Sequence, residues 1–400
     1  MPKVVWRGAT PEEYEQALRL HEGVQGATAE RFRSSQKNNP IFYPALSRVC
    51  LEDGKVVSTI HIYPRQVRIG GATMGNLAIG DVCTHQEKRH RGYGSGCLRD
   101  AIDWASGNDY PMSMILSGVF GFYLSVKWEK FPQHSYNVDL ARFSRPRPAR
   151  DYFVRWFEPD TDDLEQCMDV YDAYNADNSL SIVRTPLYWR RRLRWQSGES
   201  PGGWLVAERD GRIVAYLRST GTRAVEMCFL PGDGAASTNL FDAFVRWAGR
   251  RQVTGVSAVV AEDNPLVPAF EASPAVTKHT TMTTLLRFID LYRVFERMWE
   301  VLQLRFIHSG LDFRRELCFK AQGLRQQVTL TTRNREIILS KRPGKGAQVF
   351  RLTQADLFKL ITGYGTFEEI PLRKLDGETS AVLRALFPRG KCTFWPSDRV

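Results

Sequence analysis

The sequence of 400 residues has no apolar run approaching the roughly 18 residues a bilayer requires, which excludes a membrane-spanning helix. Its opening, Met1-Pro2-Lys3-Val4-Val5-Trp6-Arg7, has no apolar signal region. No C-x-x-C pair occurs. The cysteines Cys50, Cys83, Cys97, Cys167, Cys228, Cys318 and Cys392 are odd in number and scattered. That pattern argues against a disulfide framework or a zinc site and for a reducing, cytoplasmic setting. His61, His85 and His90 lack ligand spacing, so no metal is expected.

What is present reads as globular. At about 150 residues per domain, the length sets a prior of two to three domains. The net charge of +11 favours an anionic partner such as nucleic acid, a membrane surface or a phosphate-rich cofactor. The excess is unevenly spread: +6 over residues 1–150, −4 over 151–290 and +9 over 291–400. It marks three blocks rather than one basic tail.

In the first block, Thr10-Pro11-Glu12-Glu13 predicts a helix start, followed by Tyr14, Ala17, Leu18 and His21 at helical spacing. Residues 45–51 and 56–62 predict a hairpin around Glu52-Asp53-Gly54-Lys55. Strands are expected over 67–69, 77–84 and 112–116, and a helix over 95–105. The stretch 142–150, rich in Pro and Arg, reads as a linker. The second block echoes the first, with a helix from Asp160-Thr161-Asp162-Asp163 and a hairpin around Arg209-Asp210-Gly211-Arg212. A helix over 240–248 and a strand over 256–260 follow. The third block predicts helices over 294–304, 357–361 and 381–387, and strands over 317–319, 327–330 and 337–339. The class is α+β with mixed sheets.

The segment 77–103 carries the chemistry. Leu98, Ala101, Ile102 and Ala105 define one buried helical face. Between strand and helix the chain must turn sharply, which Gly92 and Gly94 permit. The first amides of the helix then point outward with the positive end of its dipole, a pyrophosphate cradle. Arg89, His90 and Arg91 add positive potential there. A Walker loop is excluded because no Gly-Lys-Ser/Thr opens the helix, and Cys97 stands where a dinucleotide fingerprint needs Gly or Ala.

The pattern Arg89-His90-Arg91-Gly92-Tyr93-Gly94 matches R-x-x-G-x-G and resembles the acetyl-CoA loop of the GCN5-related N-acetyltransferases, the GNAT superfamily. Downstream, Gly121-Phe122-Tyr123-Leu124-Ser125-Val126-Lys127-Trp128-Glu129 is similar to that family's F-Y-x-x-x-G-F/W-E stretch, with Lys127 in place of the glycine. The three-block layout resembles the Eis (enhanced intracellular survival) acetyltransferases, as do Arg184-Thr185-Pro186-Leu187-Tyr188-Trp189 and Leu386-Phe387-Pro388. This resemblance implies a GNAT catalytic domain over 1–145, a degenerate GNAT-like domain over 150–289 and a sterol-carrier-protein-like domain over 290–400. It also implies acetyl-CoA as co-substrate, bound by Val82, Cys83, Thr84, Arg89, His90, Arg91, Gly92, Tyr93, Gly94, Ser95 and Ser117. Tyr123 would be the general acid and the α-carboxylate of Val400 the base. The acceptor would be a primary amine of a small cationic molecule, aminoglycoside- or polyamine-like, or a lysine. The assembly would be a homo-oligomer, a hexamer in Eis-type proteins.

Two other classes compete. One is a non-catalytic acyl-CoA- or lipid-binding module, suggested by the third block and by Lys127. The other is a nucleic-acid binder using the basic, aromatic run Tyr188–Trp195, which reads more simply as a solvated amphipathic helix, so no nucleic-acid partner is expected. Cys83 and Cys97 flank the loop, but no base stands by to activate either as a nucleophile.

Overall fold

The computed structural model describes residues 2–197, 203–372 and 375–399, with side chains except at 192–197. The first unit contains β1 (Val4–Gly8), α1 (Pro11–Gln25), α2 (Ala29–Lys37), β2 (Ser47–Glu52), β3 (Lys55–Ile69), β4 (Ala72–Thr84), α3 (Tyr93–Gly107), β5 (Met112–Leu116), α4 (Phe120–Ser125) and β6 (Glu129–Asp139). The second runs through the same kinds of element in the same order: β7 (Phe153–Trp156), α5 (Asp163–Asn175), α6 (Pro186–Ser197), β8 (Trp204–Arg209), β9 (Arg212–Thr220), β10 (Arg223–Phe229), α7 (Ala236–Gly249), β11 (Gly255–Ala258), α8 (Leu266–Glu271) and β12 (Val276–Phe288). The third contains α9 (Leu291–His308), β13 (Arg315–Ala321), β14 (Gln326–Arg333), β15 (Glu336–Ser340), β16 (Gln348–Leu352), α10 (Gln354–Thr362) and α11 (Gly377–Leu386).

Local chemistry accounts for the framework. Thr10 and Glu13 close a capping box at α1, whose buried residues are Tyr14, Ala17, Leu18 and His21. Both expected hairpins form, and their Asp-Gly turns have the same backbone. Asp53 and Gly54 have φ of 49° and 80°, and Asp210 and Gly211 have φ of 53° and 75°.

The units do not keep separate sheets. One 12-stranded sheet runs β1-β2-β3-β4-β5-β12-β6-β11-β10-β9-β8-β7. The last strand of each unit pairs inside the other. β12 lies against β5 through Thr284–Phe288, and β6 lies against β11 through Tyr136–Asp139. The linker 142–150 is irregular as expected, yet it is docked. Phe143 is buried, Arg145 pairs with Asp242 at 3.2 Å, and the Ala149 amide donates to Asn239. The third unit has its own sheet, β15-β14-β13-β16, with α9 buried between it and the β3–β4 end of the large sheet. Among the described residues no helix is long and apolar enough to cross a membrane.

Candidate active site

β4 and β5 are parallel and paired only from Asn76–Ala78 to Met112–Met114. Beyond that point the two strands part. β4 continues to Thr84 with no partner strand on its β5 side among the described residues, its Val82 carbonyl accepting from Gln25 Nε2 at 3.0 Å, and a bulge separates the pairs Thr59–Cys83 and His61–Gly80. Asp81 sits in the bulge at φ 48°, a conformation few non-glycine residues adopt. The Cys83 carbonyl accepts from Ser58 Oγ on the β3 side at 3.0 Å, so alternation turns the Val82 and Thr84 peptides to the open edge. The opening therefore presents backbone donors to whatever lies between the strands.

At the top of this opening, His90 (φ 63°) and Gly92 (φ 79°) reverse the chain into α3. The first helical bond of α3 runs from the Gly96 amide to the Gly92 carbonyl, and no side chain caps the start. Among the described residues nothing accepts from the amides of Tyr93, Gly94 and Ser95. Arg89, His90 and Arg91 are exposed beside them. A Cβ on Gly94 would stand 3.2 Å from the Phe122 ring and 3.3 Å from Thr84 Oγ1, so the loop, the end of β4 and α4 converge on this glycine. The Tyr93 side chain has a different job from its amide. Its buried hydroxyl donates to Glu52, which Lys88 also holds. The Lys88 and Tyr93 hydrogen bonds hold the Glu52 carboxyl below its usual range. The loop is thus braced from below by β2, a role for Glu52 that a lone acid at a hairpin turn does not announce.

Tyr123, on α4, is 6% exposed and packs against Phe122 and Trp128. Burial pushes its phenol above the ordinary value of 10, opposed by a hydrogen bond with Ser117. Ser117 follows β5, and its amide donates to Thr283 of β12 at 2.9 Å. Lys127 adopts φ 72°, so it makes the left-handed turn that glycine makes in the resembled motif. The turn is tied down from outside: Arg287 donates to the Val126 carbonyl, and Gln354 Nε2 to the Lys127 carbonyl at 2.8 Å.

Asp81 was not among the expected site residues. The Gly80-Asp81 pair inside an apolar strand was the available signal for a bulge. Its Oδ2 accepts from Tyr63 Oη at 2.6 Å and Gln36 Nε2 at 2.7 Å. It forms no ion pair among the described residues. His61 and His21 are buried nearby, and burial drives the His61 pKa down to about 4.

The segment leading to the last residues crosses from the third unit back to this region. Asp398 is buried and bound by Arg184 at 2.8 Å and by Tyr188 Oη at 2.8 Å, while its carbonyl accepts from Arg65 at 2.6 Å. Arg184 also grips Glu226 of β10 at 2.5 Å. Burial alone would raise Glu226, but the Arg184 charge and hydrogen bonds outweigh it and hold the carboxyl well below its usual range. Arg184-Thr185-Pro186-Leu187-Tyr188-Trp189, noted in the sequence without a role, is thus the clamp on this tail. Arg399 lines a small cleft with Leu116 and Thr283, next to Ser117. Val400 itself lies outside the described residues.

Every cysteine is buried, and burial pushes the Cys83 thiol up to about 11, so it is no nucleophile at neutral pH. No cluster of metal-ligating side chains exists among the described residues. Tyr188 and Trp189 face the core, which removes them from any nucleic-acid surface; the side chains of Arg192–Trp195 lie outside the described residues.

Known proteins fit this geometry. Residues 6–131 match the family model described as an acetyltransferase (GNAT) domain. No curated protein matches the sequence. Among solved structures, a conserved protein of unknown function and probable N-acyltransferase from Enterococcus faecalis V583 is similar at TM-score 0.75 and 16% identity, covering 99% of this chain and 100% of that one. A GCN5-related N-acetyltransferase from Kribbella flavida is similar at TM-score 0.72 and 15% identity, covering 100% and 99%. Eis1 from Mycobacterium abscessus is similar at TM-score 0.67 and 12% identity, covering 100% of both chains. These likenesses establish a shared fold along the whole chain. Residues 6–131 thus form a GNAT acetyltransferase domain, a kind of domain whose co-substrate is acetyl-CoA, and the chain is an acyltransferase.

Proposed function

We propose that the protein transfers the acetyl group of acetyl-CoA to a primary amine by direct attack in a ternary complex. The observation that carries this reading is the combination of the buried Tyr123, whose hydroxyl bonds Ser117 after β5, with the parting of β4 from β5 and three α3 amides that no described residue accepts from. The diphosphate would lie on the amides of Tyr93, Gly94 and Ser95, with Arg89 and Arg91 beside it. The Val82 and Thr84 peptides would polarise the thioester carbonyl. The neutral amine forms the new C–N bond, and the tetrahedral intermediate collapses by breaking C–S. Tyr123 then gives its proton to the departing CoA thiolate, and the phenoxide recovers one from solvent.

The acceptor is read as a small cationic amine, aminoglycoside- or polyamine-like, or a lysine. Asp81 supports this, because its carboxylate sits at the bulge next to Val82 with uncharged donors only. The α-carboxylate of Val400 is read as the group that takes the amine's proton. Support comes from Arg399, the preceding residue, which lines the cleft beside Ser117. By the same reading the enzyme is of the Eis type, its second unit a degenerate GNAT fold, its third unit sterol-carrier-protein-like and its assembly a homo-oligomer.

Coupled detection of released CoA against a panel of amines tests the proposal. Tyr123→Phe is expected to lower kcat about 10²-fold or more while acetyl-CoA affinity stays within about twofold. Turnover unchanged by that substitution would remove Tyr123 from the mechanism. No CoA release with any amine would leave only a binding module.

A further inference from the structure

The third unit holds a second basic site, remote from the acetyl-CoA cradle and independent of the acyl-transfer reading. It is a cleft of about 540 Å³ between the start of α9, the β13–β14 turn and the exit of β15. Lys320, Arg325, Lys341 and Arg342 line it, and none of the four forms an ion pair among the described residues. The acid at its edge, Asp290, is already engaged. Its Oδ1 caps α9 by accepting from the Arg293 amide at 3.1 Å, and its Oδ2 faces Arg293 Nε at 3.9 Å.

Rigid elements build this cleft. Gln326 of β14 clamps the start of α9, accepting from the Leu291 amide at 3.0 Å and donating to the Ile289 carbonyl at 2.7 Å. Gln327, paired across the sheet with Lys320, donates to the Lys341 carbonyl at 3.0 Å and so fixes where the chain leaves β15. Lys341 Nζ lies 5.0 Å from the centre of the Tyr292 ring, which orients the ammonium without neutralising it. Four cations drawn to one concavity repel one another and focus a positive potential. The volume is that of a small-molecule pocket.

The position separates it from the active site. The Ile289 and Asp290 amides donate to the Pro111 carbonyl, which precedes β5, whereas Ser117 follows the other end of that strand. The length of β5 at the rise of a parallel strand puts roughly 17 Å between them.

We infer that this cleft binds a soluble small molecule carrying adjacent phosphate groups. Guanidinium and ammonium groups together recognise such clusters, the former by paired hydrogen bonds and the latter as a point charge. A second copy of the chain is disfavoured as occupant, because the same face would meet its own charge. The loop after β15 supplies two of these groups, Lys341 and Arg342.

The test is calorimetric titration of inorganic tripolyphosphate into the full chain, with acetyl-CoA in excess to fill the cradle. One saturable site is expected. It should weaken about tenfold or more in the double variant Lys341→Glu, Arg342→Glu, and persist in Lys341→Arg. Acetyl-CoA affinity should stay within about twofold in the same double variant, which also shows that it folds. No saturable heat, or equal heat in wild type and double variant, overturns the inference. So does binding to phosphatidylglycerol vesicles without binding of tripolyphosphate. Should acetyl-CoA itself fail to bind, the acyl-transfer reading falls, and the comparison of wild type with double variant still reads this cleft.

Discussion

In the first unit α3 begins with amides that no described residue accepts from, next to Arg89 and Arg91. In the second, the matching helix α7 begins with a tight turn that consumes its own amides: Ala236 donates to Asp233, Ser237 to Gly234 and Thr238 to Ala235. The nearest charge there is also of the opposite sign. Asp233 is buried at that turn, bound by Arg209 at 2.6 Å. The strand openings differ in the same way. Beside the end of β4 no described strand pairs, and only Gln25 Nε2 reaches its Val82 carbonyl, at 3.0 Å, whereas beside β10 the buried Glu226 is bonded to Arg184 and Ser397, so the chain's own tail fills the place. One order of elements thus leaves its helix amides open in the first unit and closes them with the chain's own groups in the second.

The largest expected effect breaks the anchor. Arg184→Ala leaves two carboxylates buried without their cation, and should cost about 3–5 kcal/mol in chemical unfolding. A loss under about 1 kcal/mol would mean the tail is held by packing alone. Next, charge reversal contrasts the two helix starts. Arg89→Glu with Arg91→Glu should weaken acetyl-CoA about 10- to 100-fold, at roughly 1 kcal/mol or more per reversed charge. Arg209→Glu at the second helix should leave that affinity unchanged. Equal effects at both would mean that net charge, not the loop, binds the ligand.

Tyr123 gives a pH test. Its phenol is raised above 10, so the proton-bearing form persists across the neutral and mildly basic range. The kcat profile should therefore show no loss of a general acid below pH 10, and a descending limb centred near pH 8 in folded protein would point to another group. The smallest effect concerns the turn after α4. Lys127→Gly relieves a left-handed backbone at φ 72° and should stabilise the protein by up to about 1 kcal/mol, less the entropy glycine gains on unfolding. Destabilisation would show that the Lys127 side chain contributes more than the conformation costs.

Much of the fold was legible where one residue type has one local meaning. Thr10 with Glu13, the two Asp-Gly turns and the apolar face of α3 are decided within a few residues, and each forms as expected. The sharp turn into α3 was legible for the same reason, since Gly92 makes it through its own backbone at φ 79°. What stayed hidden depends on contacts far along the chain. β6 and β12 are polar enough to look unremarkable, and only their exchange between units gives them a place in the sheet. Asp81 and the trio Arg184, Glu226 and Asp398 likewise acquire meaning from partners many residues away.

That reciprocal exchange constrains how the protein can be made. The edge of β5 is completed by Thr284–Phe288, which leave the ribosome long after the catalytic segment does. At ~5–20 residues per second, the delay between the end of β6 and the end of β12 is about 7–30 s. During that interval the nascent catalytic half carries an unsealed β5 edge, a template for pairing with a stranger. A plasmid encoding residues 1–145 alone would make that state permanent, so the acetyltransferase half is expected to be insoluble when expressed without the half that closes it.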